Sequence, residues 1–261
     1  MVGSSDGVGR LGRWEQAAWV LNLYPTAGEA SGCFVAVGGR RGAGGVRGLA
    51  ADPERAALEG ARRARAFVRR YAAANGLTRF GTLTYRGEGC FDQTALRVDL
   101  AAFFRGVRAE LGGPVPYLWV PEWHKTHGLH AHFALDRFAH QRMLERVWGH
   151  GHVSIKRLSG ARAGDGSWQS ARIASGYLAK YVTKTFVDAE EYKRRLFGLH
   201  RYEPAQGFKP PVKQLRGTSW ADLMGEACDI MGGRWSREWF SNDVEGWRAP
   251  PAYWLQWGTR R

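Results

Sequence analysis

The sequence predicts an α+β fold built on an antiparallel sheet of the split β-α-β kind, similar to RRM and ferredoxin-like folds, with helices packed on one face. From residue 79 onward, strand-like and helix-like segments follow one another in the order β-α-β-β-α-β-α. The strand segments are rich in β-branched and aromatic residues, and the helical segments repeat apolar residues every three or four positions. With the helices on one face, the other face of the sheet would be open to a ligand.

The elements are predicted in chain order from this patterning. Strands are predicted at 17–24, 33–37, 79–85, 115–120, 127–135 and 152–158. Helices are predicted at 53–75, 93–111 and 138–148, followed by a helix around 174–184.

The domain organisation follows from composition. Residues 1–13 are rich in Gly and Ser and are expected to be loose, and residues 14–200 are expected to form one domain. Residues 201–261 form a Trp-rich C-terminal extension with six of the twelve tryptophans, which we expect to pack on the same domain. Packing is the commoner role of such residues, and stacking on single-stranded bases is the alternative.

The chain is strongly basic, with a net charge of +14 and a pI of about 10.2. An excess of this size indicates a polyanionic partner, most often nucleic acid. Arg62, Arg65 and Arg69 form a basic stripe on the predicted helix 53–75 and are candidate DNA contacts. The three cysteines form neither a disulfide framework nor a zinc quartet. Because no apolar run approaches the roughly 20 residues of a membrane span, we expect a cytoplasmic protein without a membrane partner.

A histidine cluster lies on the strand predicted at 127–135. His130 and His132 are two positions apart, so their side chains share one face of the strand. Glu122 ends the preceding strand and could add a carboxylate across the hairpin. Two imidazoles and one carboxylate with open coordination positions suit a divalent ion, and we expect Mg²⁺ or Mn²⁺.

The helix around 174–184 carries a stripe of phenols and ammoniums. Tyr177, Tyr181, Lys180 and Lys184 fall on one side of a helix with 3.6 residues per turn. The opposite side is mostly apolar and is expected to face the core: Leu178, Ala179, Val182 and Phe186. Seen alone, such a stripe is typical of a surface helix with half-buried tyrosines.

Together, the three segments resemble the HUH endonucleases that initiate rolling-circle replication in phages and plasmids. FGTLTY contains Phe80, Thr82, Leu83 and Thr84, which match the first motif of that family. His130-Ala131-His132 matches its second motif, and YLAKYVTK is similar to its two-tyrosine third motif. The resemblance covers residues 79–184 and implies the HUH variant of the predicted sheet.

The resemblance also implies an activity. Such an enzyme nicks and rejoins single-stranded DNA at a specific site through a 5′-phosphotyrosine intermediate, and the freed 3′-OH primes replication. Tyr181 and Tyr177 would be the nucleophiles, assisted by Lys180 and Lys184, while Thr82 and Thr84 would contact DNA. The implied partners are single-stranded or hairpin origin DNA in a bacterial host. No G-x-x-x-x-G-K-[ST] motif is present, so we expect a host helicase and a host polymerase to act in trans.

Two alternatives remain at this stage. A transposase or relaxase would use the same chemistry, although transposases of this kind usually have one tyrosine and relaxases place theirs before the histidines. An RRM-like module that binds nucleic acid without catalysis would explain the charge and the sheet. It would not explain the histidines or the tyrosine–lysine stripe.

Overall fold

The computed structural model describes residues 17–36, 52–124, 127–157, 168–187, 200–247 and 250–258. The residues predicted to form a loose N-terminus, 1–13, lie outside this set. The described part contains two antiparallel five-stranded sheets and five α-helices, as the predicted α+β class requires.

The helices are α1 (Pro53–Asn75), α2 (Gln93–Glu110), α3 (Gln141–Trp148), α4 (Trp168–Val187) and α5 (Trp220–Met231). The strands are β1 (Ala18–Tyr24), β2 (Glu29–Val35), β3 (Arg79–Tyr85), β4 (Tyr117–His124), β5 (Gly128–Leu135), β6 (Gly151–Arg157), β7 (Glu203–Pro204), β8 (Lys213–Gly217), β9 (Arg237–Phe240) and β10 (Ala252–Gln256).

The chain divides into two compact units. Among the described residues, the first unit combines 17–23 and 29–36 with 212–247 and 250–257. Its sheet has the strand order β8-β1-β2-β10-β9, so β1 and β2 share a sheet with strands of the C-terminal segment. Trp220 lies within 5.0 Å of Trp19 and 4.3 Å of Tyr253, measured between ring centroids. Trp257 is only 3% exposed. These tryptophans serve mainly to pack this unit.

The second unit contains the segment that carries the motifs. Its sheet has the order β6-β3-β5-β4-β7, and all the pairings that join these strands are antiparallel. Along the chain the elements run β3-α2-β4-β5-α3-β6-α4, which confirms the predicted order β-α-β-β-α-β-α. The H-x-H strand β5 lies at the centre of the sheet, between β3 and β4.

The prediction that helices pack on one face only is wrong. Helices α2 and α3 cover one face, where Phe103 and Trp148 pack on sheet residues such as Phe133. Helices α1 and α4 pack on the other face, against sheet residues that include Phe80 and Val120. The reason is that alternate positions on both sides of the central strands are apolar, so both faces have to be buried.

Helix α4 is amphipathic as predicted. Leu178 and Val182 are fully buried against the sheet and α1. Phe186 lies over Gly60 of α1 so closely that a Cβ on that glycine would be 2.7 Å from the ring. The front of the helix is therefore held in a fixed position over the sheet. Among the described residues, no helix is both long and apolar enough to cross a membrane.

Candidate active site

The candidate site lies on the sheet face that α4 partly covers. Register places Thr82 of β3 opposite His132 of β5, and Thr84 opposite His130. On the far side of β5, Glu122 of β4 lies opposite His130. Because side chains alternate along a strand, all five residues share one face. The sequence prediction that brought Glu122 to the two histidines across the hairpin is confirmed as a placement.

His132 is held from every side. Its side chain is 7% exposed and contacts the rings of Phe80 and Tyr181, at centroid distances of 5.7 and 3.6 Å. Its Nε2 is 2.6 Å from Oε2 of Glu122, and its Nδ1 is 3.0 Å from the Thr82 hydroxyl. Since the Glu122 carboxylate can only accept, Nε2–H donates to it.

Glu122 joins three elements through one carboxylate. Its Oε2 accepts from His132 on β5, and its Oε1 accepts from Nζ of Lys184 on α4 at 2.7 Å. Burial would raise the pKa of Glu122, but the hydrogen bonds from His132 and Lys184 outweigh it and lower the pKa to about 2. The group is therefore ionised throughout the physiological range.

His130 differs from His132 because its Nε2 is buried without a hydrogen-bond partner. Its ring stacks on His124 at a centroid distance of 4.8 Å and an interplanar angle of 4°. His124 lies outside the strands predicted at 115–120 and 127–135, whereas in the structure it ends β4. Burial lowers the pKa of His130, and the nearby His124 and His132 lower it further. The imidazole is therefore neutral at pH 7, with a nitrogen lone pair available to a ligand.

The predicted metal ligands lie side by side, but they do not yet form a metal site. In the described part of the chain, no group of three or more His, Cys, Asp or Glu side chains could hold a metal ion as placed. In this structure Glu122 is bonded to His132 and Lys184. The donor set nevertheless fits a divalent ion, since it offers an ionised carboxylate and the orphaned Nε2 of His130. For the Nε2 of His132 to bind a metal, the imidazole would have to carry its proton on Nδ1 instead. The Thr82 hydroxyl could then accept a hydrogen bond from Nδ1–H.

The two tyrosines of α4 occupy different environments. The Tyr181 ring stacks on His132 and is half-buried, with Nζ of Lys184 5.8 Å from its centroid. Tyr177 is 43% exposed and contacts Phe80 at a centroid distance of 5.8 Å. Tyr181 also contacts Phe80, at 6.1 Å. Both predicted nucleophiles therefore lie over the sheet, but only Tyr181 touches the histidine cluster.

The lysines do not activate Tyr181 to the extent that the sequence suggested. Burial raises the pKa of Tyr181, and the charge of Glu122 raises it further. Lys184 opposes this shift without reversing it. The phenolate form of Tyr181 is therefore disfavoured in this structure.

The remaining predicted residues are only partly associated with this cluster. Lys180 is exposed on α4. Arg62 and Arg65 are exposed on α1, and Arg69 is half-buried. Thr82, expected to contact DNA, instead places its hydroxyl on His132. Thr84 is half-buried on the same face.

Sequence reasoning missed one charged neighbour of the stripe. Lys156 of β6 places its Nζ 5.6 Å from the centroid of the Tyr177 ring. It lies directly opposite Phe80 in the β3–β6 register. The alternation of apolar and polar residues along β6, with Val153 and Ile155 next to Ser154 and Lys156, could have indicated a side chain on this face. Only the register shows which tyrosine it meets.

Comparison with known families agrees with the motif order. Residues 78–186 match the model of a family of replication-associated proteins, described under the name ORF2. The match spans β3 to α4, so it contains all the candidate ligands and both tyrosines. It indicates a role in replication initiation. No curated protein and no solved structure matches the chain.

The pKa of Glu122 yields a prediction about acid stability. Because its pKa is lower in the folded chain than in the unfolded chain, ionised Glu122 stabilises the fold above about pH 4.5. That contribution disappears as the pH falls toward 2. Glu122→Gln should therefore cost about 2 kcal/mol of unfolding free energy at pH 7, and less as the pH approaches 2. Urea denaturation in EDTA at a series of pH values measures this difference; a difference independent of pH would contradict it.

Proposed function

We propose that this chain is a DNA endonuclease and strand transferase that nicks single-stranded DNA through a tyrosine and initiates rolling-circle replication. The observation that carries the proposal is the position of Tyr181. Its ring lies on His132, beside the Glu122–Lys184 pair, within a segment that matches a replication-associated family. A phenol, a polar cluster and ammonium groups on one surface suit transfer of a phosphoryl group to tyrosine.

The proposed step is a transesterification, and it balances without water or ATP. The Tyr181 oxygen forms a bond to the phosphorus while the bond from phosphorus to the 3′-oxygen of the preceding nucleotide breaks. The phenolic proton ends on that 3′-oxygen, leaving a free 3′-OH and a 5′-phosphotyrosine. Because the phosphodiester energy is conserved in the new bond, the reverse reaction rejoins a strand.

A divalent ion, Mg²⁺ or Mn²⁺, fits this proposal. Glu122, His130 and His132 would hold it, and when bound it would polarise a phosphate oxygen. Lys184 could then leave Glu122 and face the phosphate. Thr82 would keep the His132 ring in place throughout, because its hydroxyl can either donate or accept.

The second tyrosine suits replication better than a single nick. One tyrosine would hold the 5′ end while the other attacks the regenerated origin. The 3′-OH released by this second cut would then attack the first phosphotyrosine bond, which rejoins the displaced strand and frees the first tyrosine. Both rings contact Phe80, so both can reach strands that lie over the same sheet. Host helicase and polymerase would supply unwinding and synthesis.

The binding-module alternative is less well supported. An RRM-like module stacks bases on an open sheet face, whereas α1 and α4 pack on this face and cover part of it. Such a module also has no need for a buried, unpartnered His130 nitrogen.

The central experiment looks for the covalent adduct. We expect wild-type protein to shift a 3′-labelled single-stranded DNA library on a denaturing gel in the presence of Mn²⁺. A 5′-labelled library should only be shortened, because its labelled fragment leaves with the 3′-OH. Peptide mass spectrometry should locate the phosphotyrosyl bond on Tyr181 or Tyr177.

The tyrosine variants sharpen that test. Tyr177→Phe and Tyr181→Phe should each retain some adduct formation, and only the double variant should lose it. Both single variants should fail at repeated release of circles. A full yield of adduct from the double variant would exclude both residues as nucleophiles and overturn the proposal.

The metal proposal predicts loss of both binding and cleavage. His130→Ala and His132→Ala should abolish adduct formation while the melting temperature shows a folded chain. Each should also weaken Mn²⁺ binding measured by calorimetry without DNA, by about tenfold or more. Glu122→Ala should have a smaller effect on cleavage. Undiminished adduct formation by His132→Ala in EDTA would rule out the metal.

The basic helix predicts a salt dependence. DNA binding by the wild-type chain should weaken steeply with salt, because phosphate contacts release counterions. Replacing Arg62, Arg65 and Arg69 together by Gln should flatten the plot of log affinity against log salt concentration, without changing which sequence is cut. An unchanged slope would show that α1 is only a solvated surface.

A further inference from the structure

The two tyrosines lie over opposite sides of one strand. Phe80 of β3 contacts both rings, at centroid distances of 5.8 Å for Tyr177 and 6.1 Å for Tyr181. Tyr181 stacks on His132, which belongs to β5. Tyr177 instead has Lys156 as a neighbour, and Lys156 belongs to β6, on the other side of β3. The sheet therefore offers each tyrosine a different set of polar groups.

Each tyrosine also has its own cation. Lys184 lies 5.8 Å from the Tyr181 ring centroid and is bonded to Glu122. Lys156 lies 5.6 Å from the Tyr177 ring centroid and projects from the sheet with an exposed side chain. An ammonium on a flexible stem beside a phenol can bind a phosphate that approaches that phenol.

We propose that Tyr177 and Lys156 form a second phosphate-binding subsite, distinct from the one at Tyr181, Lys184 and the histidines. The inference rests on the proposed function and extends it, because it assigns Lys156 as the residue that serves Tyr177 alone. The ligand is a phosphodiester of single-stranded DNA. The bond changes are those given for Tyr181, with Tyr177 supplying the oxygen and the displaced 3′-oxygen receiving the proton.

Two subsites would remove a conflict in strand exchange. A covalently bound 5′ end at Tyr181 occupies the groups around His132, so a second strand needs phosphate contacts elsewhere. The β6 side of Phe80 supplies them without displacing the first strand. A surface contact of a lysine with an aromatic ring contributes little stability, so its removal should leave the fold intact.

The test measures the reaction of each tyrosine separately, in a variant that lacks the hydroxyl of the other tyrosine. Tyr181→Phe isolates attack by Tyr177, and Tyr177→Phe isolates attack by Tyr181. Lys156→Met is introduced into each, and Lys209→Met, which removes an exposed lysine of the same unit that lies outside α4 and the sheet, is the matched control. The probe is the single-stranded oligonucleotide that the wild-type chain captures best from a random library in Mn²⁺.

We expect Lys156→Met to slow adduct formation about tenfold in the Tyr181→Phe background, which is the effect of losing one charged phosphate contact. In the Tyr177→Phe background the rate should be unchanged, which also shows that the variant is folded. Lys209→Met should leave the rate unchanged in both backgrounds.

Equal effects of Lys156→Met in both backgrounds, or no effect in either, would overturn the second subsite while the nuclease proposal stands. Inactivity of Tyr181→Phe alone would overturn it as well, because Tyr177 would not be a nucleophile. If both parent variants and the wild-type chain form no adduct, the proposed function fails first, and the subsite fails with it.

Discussion

The Glu122 carboxylate is the interaction on which the arrangement of the site depends. It accepts hydrogen bonds from β5 through His132 and from α4 through Lys184, so it ties the sheet to the tyrosine helix. A partly buried carboxylate is costly unless its charge is compensated, and these two donors compensate it. The site is therefore held together by a carboxylate that is also one of the proposed metal ligands.

The local pattern of the sequence was sufficient to predict which residues share a face in the elements that carry the motifs. Alternation along β5 correctly put His130 and His132 on one face, and helical spacing correctly buried Leu178 and Val182 of α4. Each prediction depends on one element and on its own geometry, either a two-residue or a 3.6-residue repeat. The position of Glu122 beside the histidines could also be predicted, because the short connection between β4 and β5 leaves few choices of register for the hairpin.

The rest depended on contacts between segments far apart in the chain. Leu118 and Val120 face α1 and α4, whereas Trp119 between them faces α2 and α3. A strand with apolar residues on both sides is typical of a sheet that is covered on both faces. The prediction of one core face and one ligand face therefore missed the second layer of helices. The pairing of β1 with β8 joins residues about two hundred positions apart, and no local pattern specifies it. The raised pKa of Tyr181 likewise arises from burial and from Glu122, which neither helix spacing nor composition reveals.

The distribution of charged residues indicates which unit of the chain would bind a polyanion. Among the described residues, Lys and Arg outnumber Asp and Glu in the unit that holds α1 to α4, whereas acids outnumber bases in the unit built from β1, β2 and β8 to β10. The basic excess therefore accompanies the histidines and tyrosines rather than the tryptophans. Within that unit, the cations Lys156 and Lys184 flank Phe80 on opposite sides, through the two tyrosines. A strand of DNA drawn to this face would meet positive charge on both sides of β3, and the asymmetry between a half-buried Tyr181 and an exposed Tyr177 would then decide which phenol it reaches first.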